Sequence, residues 1–273
     1  MRPTFLVTAL VTLLSQLGCA DWDFRSAARL ERKGEGARAV AAYERFAEKH
    51  PGHPRFAEAA FRAGRLYSEE FGRCEQAVPL YEKAARTARG GEGPEAWPER
   101  ARLALLSCPD YFPLSARRSW IYVDSASGGQ NMRLEILVLR SSASLNADLT
   151  GAYFAGENRT QDYRRQCAKE GWTIWETATG SRQPILKYPF RTGHGWDGRQ
   201  QGRAVRYEIV EHDASVEVKA GKFTDCLKVM SQVQGYPSWV YDYYCPGVGR
   251  VKTTVGVPGI ENPNTELASY KSS

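Results

Sequence analysis

The order of apolar and polar positions changes character once along the chain. Over residues 22–112, apolar residues recur three and four positions apart among Ala, Glu and Arg. That is the spacing of amphipathic helices. Over residues 117–270 the pattern becomes alternation, carried by Tyr, Trp, Val and Thr between short turns rich in Gly. That is the period of half-buried strands. The pattern predicts an α+β chain, with an N-terminal α-helical domain over 20–112 and an antiparallel β domain over 113–273. "SCPDYFPLSARR" reads as the linker between them. "SWIYVDSASGGQNMRLEILVLR" reads as two strands about Gly128-Gly129, and "DYRRQCAKEGWTIWET" as two more about Lys169-Glu170-Gly171. Strand after strand with short turns predicts a β-meander that forms an open or closed barrel.

The helical half repeats itself. Ala39-Val40-x-x-Tyr43-Glu44 returns as Ala77-Val78-x-x-Tyr81-Glu82, 38 residues later. A period of this length marks a stacked helical array, because one unit cannot bury its apolar face alone. Small residues let paired helices approach, and aromatic residues of the next helix fill the gap. With Ala27, Leu30, Phe46, Pro51, Gly64, Tyr67 and Ala84 in matching places, residues 25–107 resemble tetratricopeptide repeats. "FAEKHPGHPRFAEAAFRAGRLY" especially resembles repeat lipoproteins of the bacterial envelope that assist outer-membrane assembly or associate with the Tol–Pal system. This TPR-like resemblance implies a protein–protein adaptor or accessory factor whose groove receives an envelope protein partner. "PEAWPERARLALLS" would then close the array as a capping helix.

The β half carries a second resemblance. "YPFRTGHGWDGR", "VEVKAGKFTDCLKVMS" and "YYCPGVGRVK", spread over about residues 186–255, are similar to exported bacterial β domains of the lipoprotein-sorting and DUF3108-like kind. The resemblance implies a half-barrel whose concave face carries a lipid or another hydrophobic ligand. The aromatic strands "SWIYV", "IWE" and "SWVYDYY" either fill the core by cross-strand packing or line such a cavity.

The N-terminus reads as an export signal. A short basic start, Met1-Arg2-Pro3, precedes an apolar run over residues 4–14, too short to span a bilayer. "LSQLGCA" resembles a bacterial lipoprotein signal covering 1–19, with Cys19 as the lipidated residue, although Gln16 stands where that motif usually has Leu. Ordinary cleavage after Ala20, giving a soluble periplasmic or secreted protein, is the alternative. Lipidation implies a membrane partner through the anchor, and Ala20 after Cys19 implies a periplasm-facing lipoprotein of the outer membrane.

Export brings the chain into an oxidising compartment, where cysteines tend to pair. Cys74 precedes the helix expected over 75–88 and Cys108 follows the helix expected over 96–107; antiparallel neighbours bring those ends together. A two-residue turn at Gly235-Tyr236 pairs residues whose numbers sum to 471, which sets Cys226 opposite Cys245. A four-residue loop would shift the partner of Cys226 to Gly247. Cys167, on the strand "DYRRQCAKE", is left as a buried free thiol.

Composition and motifs narrow the chemistry. The net charge of +6 is scattered, with no block of like charges, so no nucleic-acid partner is expected. Gly193–Gly198, "GHGWDG", has the spacing of a dinucleotide fingerprint but leads into a strand instead of a helix. His50-x-x-His53 sits at an exposed turn without a third ligand, and His194 near Asp197 lacks a nucleophile. G-x-S-x-G, H-E-x-x-H, P-loop and C-x-x-C patterns are absent. The chain is therefore expected to be non-enzymatic, with no catalytic, cofactor-binding or metal-binding residue. Acyl labelling in a bacterial host checks the anchor: the intact chain is expected to take up a labelled fatty acid, and Cys19→Ser to take up none.

Overall fold

The computed structural model describes residues 19–87 and 97–272. The chain divides into two compact units between Cys108 and Pro109. This lies slightly before the boundary expected after residue 112, because residues 110–114 are bound into the β unit.

In the helical unit, α1 covers residues 19–32. It is followed by α2 (Gly36–Lys49), α3 (Phe56–Arg65), α4 (Cys74–Arg86) and α5 (Trp97–Leu105). One π-helical turn, Leu66–Glu70, prolongs α3. The core joins Ala27, Ala39, Ala59 and Ala63 to the rings of Phe24, Tyr43 and Phe46. Gly64 lies against Tyr81; a Cβ there would come within 2.8 Å of the ring, so α3 and α4 can approach this closely only at glycine. Glu31 of α1 accepts the Tyr43 hydroxyl at 2.5 Å and the Arg62 guanidinium at 2.9 Å, and also pairs with Arg65. Burial disfavours its charge, but these partners outweigh burial and hold its pKa below the carboxylate norm. Cys74 opens α4, Cys108 lies just past α5, and the two are joined by a disulfide.

The β unit contains β1 (Ser119–Asp124), β2 (Arg133–Ser142), β3 (Asn146–Ala155), β4 (Asn158–Glu170), β5 (Thr173–Ala178) and β6 (Ser181–Lys187). It continues with β7 (Gly195–Gln200), β8 (Arg203–Val218), β9 (Gly221–Val233), β10 (Trp239–Cys245), β11 (Gly249–Val257) and β12 (Ile260–Lys271). They form one antiparallel sheet of 12 strands in the order β6-β5-β4-β3-β2-β1-β12-β11-β10-β9-β8-β7. Each strand pairs with its chain neighbour except at β6 and β7. The ring is completed instead by β1 on β12, with Trp120 opposite Tyr270 and Val123 opposite Glu266. The result is a nearly closed barrel and not the expected half-barrel. Closure depends on a ladder between the first and last strands, which no local alternation encodes.

The β6/β7 seam has no strand ladder among the described residues. Pro184 sits in edge strand β6, where a missing N–H costs least. Its carbonyl takes the Trp196 indole N–H from β7 at 3.4 Å. Gly198 of β7 leaves room for the Pro184 ring, which a Cβ would meet at 2.9 Å.

A hydrophobic core fills part of the barrel. Leu114, Val138, Cys167, Val251 and Leu267 form this core with Cys226 and Cys245. Register shifts after Ile209, Glu211 and Ala214 bend β8. The β8–β9 turn then reaches β12, where the Ala220 N–H meets the Leu267 carbonyl at 2.9 Å. The incoming segment is pinned here too. The fully buried Lys169 ammonium lies 2.8 Å from the Asp110 carboxylate, and the Asp110 carbonyl accepts the Gly247 N–H at 2.8 Å. Burial draws the Lys169 pKa below its ordinary value, and Asp110 opposes that shift.

The β9–β10 register pairs Leu227 with Tyr244 and Ser231 with Val240, so paired numbers sum to 471. The loop is wider than two residues, since that ladder ends at Ser231–Val240, yet the register is the one expected for Gly235-Tyr236. Cys226 and Cys245 continue it and are joined by a disulfide. Replacing both with Ala should leave the circular dichroism spectrum intact. Unfolding stability should fall by about 3 kcal/mol in the chain-entropy account of a loop this size, read from the urea midpoint.

Candidate functional site

Another part of the barrel is open space. A cavity of about 300 Å³ lies inside, bounded by Phe112, Trp120, Ile136, Leu149 and Val229 on its apolar side. Strand periodicity places the rest of the wall. Along β10, Val240, Asp242 and Tyr244 share the inner face; along β4, Tyr163 and Arg165 do so. Glu176 of β5, Gln183 of β6, Tyr207 of β8 and Arg250 of β11 complete a polar belt.

Two ion pairs occupy that belt. Arg250 lies 3.6 Å from Asp242, with 34% of its side chain exposed to the lumen. The Arg165 Nε lies 3.5 Å from Glu176, whose side chain is 17% exposed. Both separations exceed the 2.7–2.9 Å, roughly, of a charge-assisted hydrogen bond. Each cation also rests on a ring: Arg250 stands 5.3 Å from the Tyr122 centroid, and Arg165 stands 4.7 Å from that of Tyr163. The carboxylates are steered by neutral donors. Thr253 donates to Asp242 at 2.6 Å, and Gln183 donates to Glu176 at 3.0 Å.

Tyrosine supplies most of the remaining polar surface. Tyr153 and Tyr163 meet edge to face at 6.2 Å, and Trp196 stacks flat on Tyr207 at 5.6 Å. Burial pushes Tyr122 and Tyr207 up to about 12, with Asp242 and Glu176 adding to the rise at Tyr207. Burial likewise drives Tyr163 and Tyr244 well above their ordinary value. The phenols are neutral at any physiological pH, and Tyr122 donates its hydroxyl to the Arg250 carbonyl at 2.8 Å. The belt therefore balances two guanidinium charges against two carboxylates.

The residues singled out from sequence fall elsewhere. Cys19 is exposed at the start of the described chain, and Cys167 is buried in the hydrophobic core, where burial drives its thiol pKa up. A thiol in that state is a poor nucleophile. His50 and His53 are not the exposed pair expected at a turn. Both pack against Phe46, and they face Asp23 and Asp21 at 3.5 and 4.0 Å. His194 does not meet Asp197, which pairs with Arg206 at 3.3 Å. Burial, with Lys187 and Arg191 nearby, keeps its imidazole pKa low. Among the described residues no cluster of three or more His, Cys, Asp or Glu is placed to hold a metal ion.

The lumen ion pairs were missed in the sequence reading. Their signal is a charge that shares an alternating face with aromatic residues, as in Tyr163-x-Arg165 and Val240-x-Asp242-x-Tyr244. It resembles an ordinary solvent face until the two halves of the barrel are brought together.

No protein-family model matches the chain, and no curated protein matches it significantly. Among solved structures, it is similar to a protein described as a lipoprotein from Parabacteroides distasonis ATCC 8503. That match has 14% identity and a TM-score of 0.40, and covers 59% of this chain and 98% of that one. It is also similar to a protein described as exported, with a YmcC-like fold, from Bacteroides fragilis NCTC 9343. Here the identity is 15% and the TM-score 0.45, with 59% and 98% of the two chains covered. Identities this low leave the chemistry of the lumen to be read from its own residues.

The tyrosines predict an alkaline weakness. Tyr207 ionises near 10 when unfolded and near 12 when folded, so the folded state keeps a proton that the unfolded state releases between those values. Its contribution is complete below pH 10 and is lost as pH rises toward 12. Urea unfolding at pH 9 and pH 11 should show a drop in stability, and Tyr207→Phe should reduce that drop by about 1 kcal/mol.

Proposed function

We propose that this protein is an exported, non-catalytic lipoprotein of the bacterial envelope whose barrel lumen binds a small amphipathic ligand. The observation that carries the reading is the partition of the 300 Å³ cavity. Phe112, Trp120, Ile136 and Leu149 form an apolar side, and the tyrosine and ion-pair belt forms a polar one. Ligand sites are concave, mostly apolar and furnished with a few placed polar groups. The volume lies at the small end of that class, so the ligand is a single chain or ring system, not a whole diacyl lipid. A carrier of purely hydrophobic cargo would not need two ion pairs in its wall. Both lumen carboxylates are already engaged by an Arg and a neutral donor, which suits binding and not acid–base turnover.

Export rests on the N-terminal residues and on two disulfides, which persist in oxidising compartments. None of the described helices is long and apolar enough to cross a membrane. Attachment through Cys19 is accordingly part of the proposal, with the outer membrane as its location.

The helical unit supports a second, compatible role as the adaptor surface for an envelope protein. Ala39, Tyr43, Ala77, Tyr81 and Ala84 are all buried, as a tetratricopeptide-like array needs. Trp22 stands 67% exposed on α1, available to a partner.

Native mass spectrometry of protein released gently from its own envelope checks the ligand reading. The intact protein should carry a small-molecule adduct. Ser231→Phe, which fills the lumen from β9, should lose the adduct while keeping the barrel's spectrum.

A further inference from the structure

We infer that the ligand of the lumen is a zwitterion, with its anionic group on Arg250 and its ammonium group among Glu176, Asp242 and the tyrosine rings. The inference rests on the reading of the lumen as a ligand site and adds the charge pattern of what fills it.

The argument starts from the balance of charge. Two guanidinium groups and two carboxylates face one small cavity. An anion that approaches Arg250 also comes near Asp242, only 3.6 Å away, and a lone cation at Glu176 meets Arg165 at 3.5 Å. In this cavity each unlike contact is accompanied by a like-charge one, so a singly charged ligand gains little. A zwitterion avoids the conflict, because each of its charges takes the opposite member of a pair.

The pair distances point the same way. At 3.5 and 3.6 Å the internal ion pairs stop short of hydrogen bonding, so the guanidinium forks keep capacity for an incoming oxyanion. The carboxylates are held in place by Thr253 and Gln183. They can therefore receive an ammonium without first being oriented.

The rings complete the ammonium side. Tyr153 and Tyr244 line the same cavity as Glu176 and Asp242, whereas the Tyr163 and Tyr207 rings are already covered by Arg165 and Trp196. Carboxylate and aromatic faces together recognise alkylated ammonium groups. The apolar side formed by Trp120, Ile136 and Leu149 then takes whatever carbon chain the zwitterion carries.

Calorimetric titration of the full exported chain with matched probes tests this. The probes are hexylphosphocholine, hexyl phosphate, hexyltrimethylammonium, hexanol and phosphocholine without a chain. Hexylphosphocholine is expected to bind roughly ten-fold or more tightly than the phosphate, the ammonium or the alcohol. Arg250→Gln and Glu176→Gln should each remove most of that advantage. Glu176→Gln is isosteric and keeps an oxygen for the Gln183 donor, so this variant should fold even if the Arg250 variant does not. Phosphocholine much weaker than hexylphosphocholine assigns the zwitterion to a lipid-like molecule; equal affinity assigns it to a free small one. Either result supports charge recognition. Tightest binding of the phosphate or the ammonium overturns the zwitterion and keeps the lumen as a site. Equal binding of all hexyl probes does the same in favour of a plain apolar ligand. No binding of any probe to folded protein overturns both readings.

Discussion

The ladder between β1 and β12 is the contact on which the rest of the β unit depends. It joins the six strands β1–β6 to the six strands β7–β12 as one sheet, whose edges β6 and β7 then face each other across the seam. Barrel diameter grows with strand number, and about eight strands already enclose all the space that side chains can fill. A ring of this size must therefore contain either a plug or a cavity. This protein has both. The bent β8–β9 hairpin and the segment around Asp110 and Leu114 fill one part, and the lumen remains in another.

The polar belt follows from the same geometry. Residues that alternate along separate strands meet only when the strands curve toward one another. Arg165 on β4 and Glu176 on β5 are near neighbours in the sheet, as are Asp242 on β10 and Arg250 on β11. Each pair could form in an open sheet facing water, where it would contribute little. Closure places the pairs in one enclosed space and surrounds them with neutral phenols. Charges that would be unremarkable on a surface there share one cavity wall.

The two disulfides lie one in each unit. Cys226–Cys245 ties β9 to β10 within the core, and Cys74–Cys108 ties the start of α4 to the end of α5. Buried Lys169 with Asp110 has a different effect. A buried ion pair is weak support for stability, but its cost if broken fixes where the chain must enter the β unit.

Much of this was legible in the sequence, for physical reasons. Helical spacing of Ala, Tyr and Phe fixes which faces of α1–α4 are buried, because the period is local. Alternation and turn residues locate most strands, and strand pairing about Gly235-Tyr236 sets Cys226 against Cys245, because a hairpin register is also local. Closure was not legible: the β1–β12 pairing joins segments far apart in the chain, and the expectation of a half-barrel failed at that point. The exposed state expected for His50 and His53 failed similarly, since only the packed array brings Phe46, Asp21 and Asp23 to them. The lumen was hidden for the same reason. A charge on an alternating strand looks solvated until long-range pairing decides that its face points inward, and only the tertiary structure makes that decision.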